Sequence, residues 1–231
     1  MKQINSDNPS NIFNRLTKFL YKIKLIRIIL YKFVQKNKYK NFIDLKLDKN
    51  SVVLDFGANI GDISQCILDL YDCNICCYEP NNNAFKVLKR RFGNYENIIL
   101  INKSVGDKND ETKLYYHKLN HENPLKFSTG SSLVQQKGNI DKKNYQITEM
   151  VSIREILNQF DYINLIKIDI EGYEYNILPE IIKNKNKIGK VICELHGSST
   201  IKNKFLNNKY LEIIKILNTI DKENKWFKYH H

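Results

Sequence analysis

The sequence predicts an α/β protein with a Rossmann-like, doubly wound and mostly parallel sheet, preceded by an N-terminal helical extension. Three features of the 231 residues predict this fold. A turn of small residues joins a short apolar strand to a helix near residue 57. Beyond it, short apolar runs alternate with segments of helical periodicity, and several runs end in an acidic residue. Strands that alternate with helices are typical of a parallel sheet covered on both faces.

The small-residue turn is the feature around which the other elements are arranged. An apolar run at residues 52–54 predicts a buried strand, and Gly57, Ala58 and Gly61 predict a tight turn into a helix over residues 60–71. Such a turn brings backbone N–H groups and a helix N-terminus to one point. A glycine turn alone is also typical of a simple tight connection, so a ligand site needs a second feature.

That second feature is Glu79, which ends the next apolar run. An acidic residue about 20 residues beyond the glycines is placed to accept hydrogen bonds from ribose hydroxyls. The turn reads G-A-N-I-G rather than G-x-G-x-x-G, and Asp55 precedes Gly57. A carboxylate there would repel a pyrophosphate and attract an ammonium group. The pattern therefore favours S-adenosylmethionine, which has a sulfonium, an ammonium and no phosphate, over a dinucleotide.

Alternating elements continue to the end of the chain. Strands are predicted over residues 52–56, 74–78, 98–102, 165–170 and 190–195, and helices over residues 60–71, 83–92, 153–159, 174–183 and 205–219. A local hairpin strand over 112–117, a strand over 145–151 and a short strand over 226–229 complete the set. Residues 118–142 break the alternation, and long irregular segments are usually functional. We expect these residues to shape the pocket that binds the second substrate, the acceptor.

The positive charge is concentrated at the N-terminus. The net charge is +12, and residues 1–50 hold 12 Lys and Arg against three Asp. We predict a basic helical extension over residues 1–45 and a second domain over residues 46–231. Residues 11–37 have helical periodicity with interleaved lysines. One interpretation is a helix packed on the domain; the other is an amphipathic helix in peripheral contact with an anionic membrane or a polyanionic substrate. No apolar run reaches the roughly 20 residues of a membrane span.

The cysteines and the first residues predict a cytoplasmic protein. Five cysteines form no paired metal-binding motif, and most lie in apolar runs, so buried free thiols are expected. A redox pair of Cys73 and Cys76 is the alternative. The polar first residues contain no apolar leader segment. A reducing compartment follows.

A second polar cluster ends the later strands. Asp169 and Glu171 follow one apolar run, and Glu194 and His196 follow the next. Because parallel strands share one carboxyl edge, they should converge with Asp55 and Glu79. This set also raises the alternative of a Mg²⁺ or Mn²⁺ site. No compact ligand motif supports a metal, so we predict none.

These motifs together resemble the FkbM-type methyltransferases. The resemblance covers about residues 50–200 and rests on the segments 53–61, 78–80, 130–132 and 166–174. It implies a class I methyltransferase fold, S-adenosylmethionine as methyl donor, and an acceptor hydroxyl on a sugar, glycolipid, polysaccharide or polyketide. The residues that would hold the donor's amino-acid end are Asp55, Gly57, Ala58, Asn59 and Gly61. Glu79 would hold the ribose, Asn102 and Ser104 would lie near the adenine, and Asp169 and Glu171 would face the acceptor.

Two side chains compete for the role of general base. His196 is favoured because an unperturbed imidazole has a pKa of about 6.5. Asp169 would then orient the acceptor or the donor amine, and Glu171 would bind a neighbouring hydroxyl. Two other classes of function remain open: an RNA-binding protein or RNA methyltransferase that uses the basic N-terminus, and a nucleotide-binding module without catalysis. The first lacks the Asn/Asp-Pro-Pro-Tyr type of motif, and the second has no need of Asp169, Glu171 and His196.

Overall fold

The computed structural model describes residues 23–34, 36–196, 204–221 and 225–230. The strands are β1 (Val52–Phe56), β2 (Asn74–Tyr78), β3 (Ile98–Ile101), β4 (Ser104–Gly106), β5 (Asp110–His117), β6 (Ile140–Ser152), β7 (Leu165–Ile168), β8 (Val191–Glu194) and β9 (Phe227–His230). The helices are α1 (Lys24–Ile29), continued by a π-helical turn (Leu30–Val34), α2 (Lys36–Tyr39), α3 (Asp62–Tyr71), α4 (Asn82–Phe92), α5 (Ile153–Asn158), α6 (Glu174–Lys183) and α7 (Lys204–Ile220).

The main sheet has six strands in the order β3-β2-β1-β7-β8-β9, and every described pair in it is parallel. The predicted doubly wound, mostly parallel sheet is therefore confirmed. The strand order reverses between β1 and β7. Ligands bind at such a switch point, outside the carboxyl ends of the strands. The last predicted strand is present as β9, which runs parallel to β8.

The alternation of side chains along each strand divides the core into two layers. Leu54 and Phe56 point to the face covered by α5, α6 and α7, whereas Val53 points to the face covered by α3 and α4. The central strands are buried on both faces, which explains why their sequences read as continuous apolar runs. Pro179 lies inside α6 without ending it.

The part of the chain between β3 and α5 forms a second sheet of three strands, in the order β4-β6-β5. β5 and β6 are antiparallel, with Tyr115 opposite Tyr145, so the predicted hairpin strand and the strand over 145–151 pair with each other. The irregular segment between these two strands packs against the sheet. Its residue Ser132 and Tyr115 of β5 exchange two backbone hydrogen bonds of 2.9 Å. It is thus a packed structure and not a free loop.

The N-terminal helix packs against α3 through polar contacts. Arg27 donates to both carboxylate oxygens of Asp69, at 2.5 and 2.6 Å, and Tyr31 donates to the same carboxylate at 3.1 Å. The first half of the helix predicted over 11–37 lies outside the described residues. In the part of the chain that the structure describes, no helix has both the length and the apolar character needed to cross a bilayer. The division at residue 45 stays a prediction.

All five cysteines are free and buried, as predicted. Burial raises the pKa of Cys66 to about 12 and that of Cys73 to about 11. Thiols with such pKa values are held in the unreactive protonated form. A redox role for Cys73 and Cys76 therefore has no support in their surroundings.

Candidate active site

A cavity opens at the switch point of the main sheet. Small-molecule sites of α/β proteins occur preferentially at such switch points. Its walls come from the loops after β1, β2 and β7, from the start of the small sheet and from the irregular segment. The lining residues are Gly57, Asn59, Tyr78, Glu79, Pro80, Lys103, Ser104, Val105, Leu114, Ser128, Thr129, Ser131, Leu133, Asp169, Ile170 and Glu171.

The turn after β1 is shaped by close backbone packing. Gly57 has a φ of 77°, and a Cβ atom there would fall on the carbonyl oxygen of Asp169. Only glycine lets the loops after β1 and β7 approach this closely. The N–H groups of Gly57 and Ala58 both donate to the carbonyl of Tyr78 at 3.0 Å. These two N–H groups are therefore not available to a phosphate, which agrees with the preference for S-adenosylmethionine over a dinucleotide.

Glu79 is buried at the end of β2, with both carboxylate oxygens fixed by backbone groups. It accepts from the N–H of Asn59 at 2.8 Å and from the N–H of Asn81 at 2.7 Å. Burial raises its pKa to about 7 from the ordinary 4.5, although these two hydrogen bonds oppose the change. An ionised carboxylate has about four acceptor positions, so Glu79, which lines the cavity, can accept two further hydrogen bonds.

The irregular segment fastens the three loops of the switch point to one another through serine hydroxyls. Asn59 donates to Ser128 Oγ at 2.9 Å, Asn81 donates to Ser131 Oγ at 3.1 Å, and Ser132 Oγ donates to the carbonyl of Glu171 at 2.6 Å. All three serines are buried. This serine clamp (Ser128, Ser131 and Ser132) holds the loops after β1, β2 and β7 around the cavity.

Asp55 is not among the lining residues of the cavity, and its predicted contact with the donor stays a prediction. It is wholly buried, accepts from Ser64 Oγ at 2.5 Å, and lies 3.1 Å from the ammonium of Lys167. Asp55 and Lys167 are paired across β1 and β7, so their side chains share one face of the sheet. Burial lowers the pKa of Lys167, but the charges of Asp55 and Asp169 raise it above its ordinary value. Lys167 also donates to the carbonyl of Gly57 at 2.7 Å, which ties this ion pair to the glycine turn.

The carboxylates beyond β7 and β8 form an acidic cluster (Asp169, Glu171, Glu174 and Glu194) around His196. His196 Nδ1 lies 3.0 Å from Glu174 Oε1 and its Nε2 lies 3.2 Å from Glu171 Oε2. Burial lowers the pKa of His196, but the hydrogen bond and charge of Glu174 outweigh it, so the pKa is raised. Both ring nitrogens thus face carboxylates, and the imidazolium form is favoured.

A buried lysine from the irregular segment completes this cluster. Lys137 pairs with Glu171, and only 4% of its side chain is exposed. Burial lowers its pKa to about 8, although Glu174, Asp169 and Glu194 oppose the change. Oxygen and nitrogen atoms of Asp169, Glu171 and His196 lie close enough to one another to hold a metal ion. The Lys137 ammonium, however, already neutralises Glu171, so the cluster has its own cation.

Asp169 is the member of the acidic cluster that combines cavity contact with a changed pKa. About a third of its side chain is exposed, and it lies 3.9 Å from the Lys167 ammonium. Enclosure by the protein raises the pKa of Asp169, and Glu194 raises it further, while Lys167 and His196 lower it. A carboxylate with a raised pKa is a better proton acceptor near neutral pH than an ordinary one.

The structure brings some of the predicted site residues to the cavity and places others behind it. Those lining it are Gly57, Asn59, Glu79, Ser104, Asp169 and Glu171. Ala58 packs in the core, and a Cβ atom on Gly61 would clash with Phe92 and Leu88 of α4. Asn102 donates to the carbonyls of Glu79 and Pro80 at 2.8 and 3.2 Å. Asn102 therefore fixes the end of β2 and does not line the cavity. His196, likewise, is not a lining residue.

Sequence reasoning missed Lys137 and Ser128, used residues 130–132 only as part of the family resemblance, and gave Lys167 no role. A lysine inside a buried parallel strand needs a partner charge, so Lys167 was detectable once β7 was placed beside β1. Lys137 and the clamp lie in a segment without periodicity. Nothing in the local sequence indicates which strand ends they contact.

A switch-point cavity with an acidic residue at the end of β2 is the arrangement that nucleoside-binding α/β domains use. Comparison with known families identifies it further. The family model described as the methyltransferase FkbM domain matches residues 55–227, which is most of the chain. The chain therefore belongs to the FkbM methyltransferase family, as its motifs predicted, and it is an S-adenosylmethionine-dependent methyltransferase.

Solved structures with a similar fold are distant in sequence. A precorrin-6y C5,15-methyltransferase from Geobacter metallireducens is 10% identical over 80% of this chain and 70% of its own, with a TM-score of 0.43. An rRNA methylase from Streptococcus thermophilus is 13% identical over 77% and 76%, with a TM-score of 0.40. A putative S-adenosylmethionine-dependent methyltransferase from Methanococcus maripaludis is 11% identical over 97% and 79%, with a TM-score of 0.34. The search of curated proteins gave no match. The assignment rests on the family match.

Proposed function

We propose that this methyltransferase transfers a methyl group to a hydroxyl of a sugar, as a free carbohydrate or within a glycolipid or polysaccharide. The observation that carries the proposal is one cavity with two differently equipped ends. Glu79 stands at the end formed by β2, and Asp169 and Glu171 stand at the end formed by β7. One end suits the nucleoside of the donor, and the other suits a substrate rich in hydroxyl groups.

The donor end fits an adenosine. Glu79 keeps two acceptor positions for the two ribose hydroxyls, and Val105, Leu114 and Leu133 offer an apolar wall for the base. S-adenosylmethionine, when bound, supplies an electrophilic methyl group on a sulfonium. The enzyme's own work is therefore to position the acceptor hydroxyl and to remove its proton.

We assign the removal of that proton to Asp169 rather than to His196, which reverses the order of preference drawn from the sequence. Asp169 lines the cavity, and its pKa is raised. His196 is 7% exposed and has a carboxylate within 3.2 Å of each ring nitrogen. An imidazole in that position holds a proton between Glu171 and Glu174 and orients them. Glu171 then accepts a hydrogen bond from a neighbouring hydroxyl of the acceptor.

The lining of the cavity favours a sugar over a nucleobase. Enzymes that act on flipped bases stack the base between aromatic or apolar side chains and read its edge with hydrogen bonds. Tyr78 is the one aromatic residue among the described lining residues. Carboxylates at the acceptor end can instead accept hydrogen bonds from several adjacent hydroxyls.

The test is methyl transfer from isotope-labelled S-adenosylmethionine to separate pools of glycans, glycolipids and RNA, followed by mass spectrometry of the products. We expect label in an ether-linked methyl group on a sugar ring. Asp169→Asn should lose the product, and the surface variant Asp110→Asn is the matched control, because Asp110 lies on an exposed strand. Label in an RNA base, or on an amine, would overturn the proposal.

A further inference from the structure

The N-terminal helix shows a feature that the methyl-transfer site does not use, an apolar outer surface. The outer stripe consists of Leu25, Ile29, Phe33 and Val34, which are 66%, 47%, 77% and 70% exposed. On the opposite side, Tyr31 is buried at 3% exposure. The helix thus has one side attached to the domain and one apolar side left in solvent.

The attachment of the helix fixes which way the stripe faces. Arg27 and Tyr31 both bind the carboxylate of Asp69 on α3, and Lys38 donates to Asp62 at 2.9 Å near the start of α3. Lys38 belongs to α2, so the N-terminal helix itself is held by Arg27, and the turn that continues it by Tyr31. Because both side chains are bound to α3, this helix cannot readily rotate to bury Leu25 or Phe33 against its own domain.

The charge around the outer stripe is of one sign. Residues 23–34 contain no Asp or Glu, and the exposed Lys24 and Lys32 flank the stripe. Two copies of this surface would bring like charges together without a compensating carboxylate. Exposed apolar side chains would not contribute to binding of a nucleic-acid backbone, because that binding depends on Lys and Arg charges. Apolar residues flanked by lysines fit the headgroup region of an anionic bilayer.

We propose that the outer stripe docks the enzyme on an anionic lipid surface, with Phe33 and Leu25 inserted among the headgroups and Lys24 and Lys32 paired with lipid phosphates. This inference rests on the helix alone and does not depend on the identity of the methyl acceptor. A peripheral helix of this type lies in the plane of the interface and does not span the bilayer.

The experiment is sedimentation of the full chain with vesicles of phosphatidylcholine alone or of phosphatidylcholine mixed with phosphatidylglycerol. We expect binding to the mixed vesicles that weakens as salt is added. Phe33→Ser should reduce the partition coefficient by about tenfold or more, and Lys32→Gln by about fivefold. Leu211→Ser is the control, because Leu211 is 56% exposed on α7, remote from the stripe in sequence.

All these side chains are exposed, so the variants should keep the circular dichroism and the S-adenosylmethionine affinity of the parent chain. Equal binding of Phe33→Ser and the parent would overturn the proposal. So would equal binding to neutral and anionic vesicles. Binding to RNA that Lys32→Gln weakens and Phe33→Ser does not would show a nucleic-acid surface, and a dimer abolished by Phe33→Ser would show a surface for a second copy.

Discussion

The carboxyl of Glu79 offers a test in which stability and donor affinity should move in opposite directions. Burial raises the pKa of this group to about 7 from 4.5. Between these values the unfolded chain releases the proton while the folded chain keeps it. Stability should therefore fall as the pH rises from about 4.5 to about 7, and the cost should be fully present above that range. Since one pKa unit is worth about 1.36 kcal/mol, the ionised group costs the folded state about 3 kcal/mol.

Glu79→Gln removes this titration. Glu79 accepts hydrogen bonds from two backbone N–H groups, and the variant places its amide NH₂ against one of them. An unpaired buried N–H group lowers the stability of the folded state by about 1–3 kcal/mol. That loss does not change with pH. The difference in unfolding free energy between variant and parent, followed against pH, therefore reports the ionisation of Glu79 alone. Relative to the parent chain, the variant should gain about 3 kcal/mol of unfolding free energy between pH 4.5 and pH 7.5.

The measurement is urea denaturation of both chains across this pH range without ligand, combined with titration calorimetry of S-adenosylmethionine. Hydrogen bonds to a charged group are worth about 1.5–3 kcal/mol, so the variant should bind the donor roughly tenfold to a hundredfold more weakly. Donor affinity of the parent chain should rise through about pH 7, as the carboxylate ionises, and that of the variant should stay flat. Glu96→Gln, on an exposed residue, should track the parent in both assays.

Two results would refute this reasoning. A stability difference that does not change with pH would mean that burial does not penalise the Glu79 carboxylate. Unchanged donor affinity in Glu79→Gln would remove the residue from the ribose site, whatever its effect on stability.

The remaining predictions concern the acidic cluster and the ion pair behind it. Asp169→Asn should lower turnover by about 10²–10⁴-fold with a much smaller change in donor affinity, whereas His196→Gln should retain more turnover. Steady-state kinetics and calorimetry on both variants test this. A larger loss of turnover in His196→Gln than in Asp169→Asn would return the role of base to His196. Lys137→Met should move the pH profile of turnover upward, because the Lys137 ammonium and the Asp169 carboxylate attract each other and loss of the ammonium raises the pKa of that base. Lys137→Arg should restore the profile. An unmoved profile in Lys137→Met would show that this lysine does not act on the base. Lys167→Met should cost about 3–5 kcal/mol, since it leaves a buried charge on Asp55; adding Asp55→Asn should recover part of that loss in urea denaturation, and simple additivity would contradict the pairing. Turnover should be unaffected by a chelator; loss that Mg²⁺ restores would show that a metal, and not Lys137, serves the cluster.

The strands of the main sheet could be predicted because each one is encoded by a short stretch of consecutive residues. Runs such as that of β1 are β-branched and apolar, and parallel strands buried on both faces have this composition. The turn at Gly57 and the acidic end of β2 could likewise be placed from spacing alone. The convergence of Glu79 and Asp169 followed from topology, since all strands of a parallel sheet end on one edge.

The roles of Asp55 and His196 depend on partners that lie far away in sequence. Asp55 was assigned to the donor because its carboxylate would attract an ammonium group and because of the family resemblance. The structure pairs its side chain with Lys167, 112 residues later, on the same face of the sheet. Finding that pairing needs the register between β1 and β7, which no local pattern contains. His196 was favoured as base from the pKa of an isolated imidazole. Its environment, with Glu174 on one nitrogen and Glu171 on the other, changes that pKa and uses both nitrogens.

The charge balance of the acidic cluster bears on which acceptors the enzyme can take. Four carboxylates surround the acceptor end, and Lys137 and a protonated His196 offset two of them, while Lys167 is shared with Asp55. The field at this end is therefore negative, which attracts a sulfonium and repels phosphate. A neutral sugar would meet no such repulsion, and its hydroxyls could donate to Asp169 and Glu171, which line the cavity. The same field would oppose RNA. In the two proposals, the basic charge of the N-terminal helix and the acidic charge of the site therefore serve different partners, an anionic lipid surface and a sugar hydroxyl.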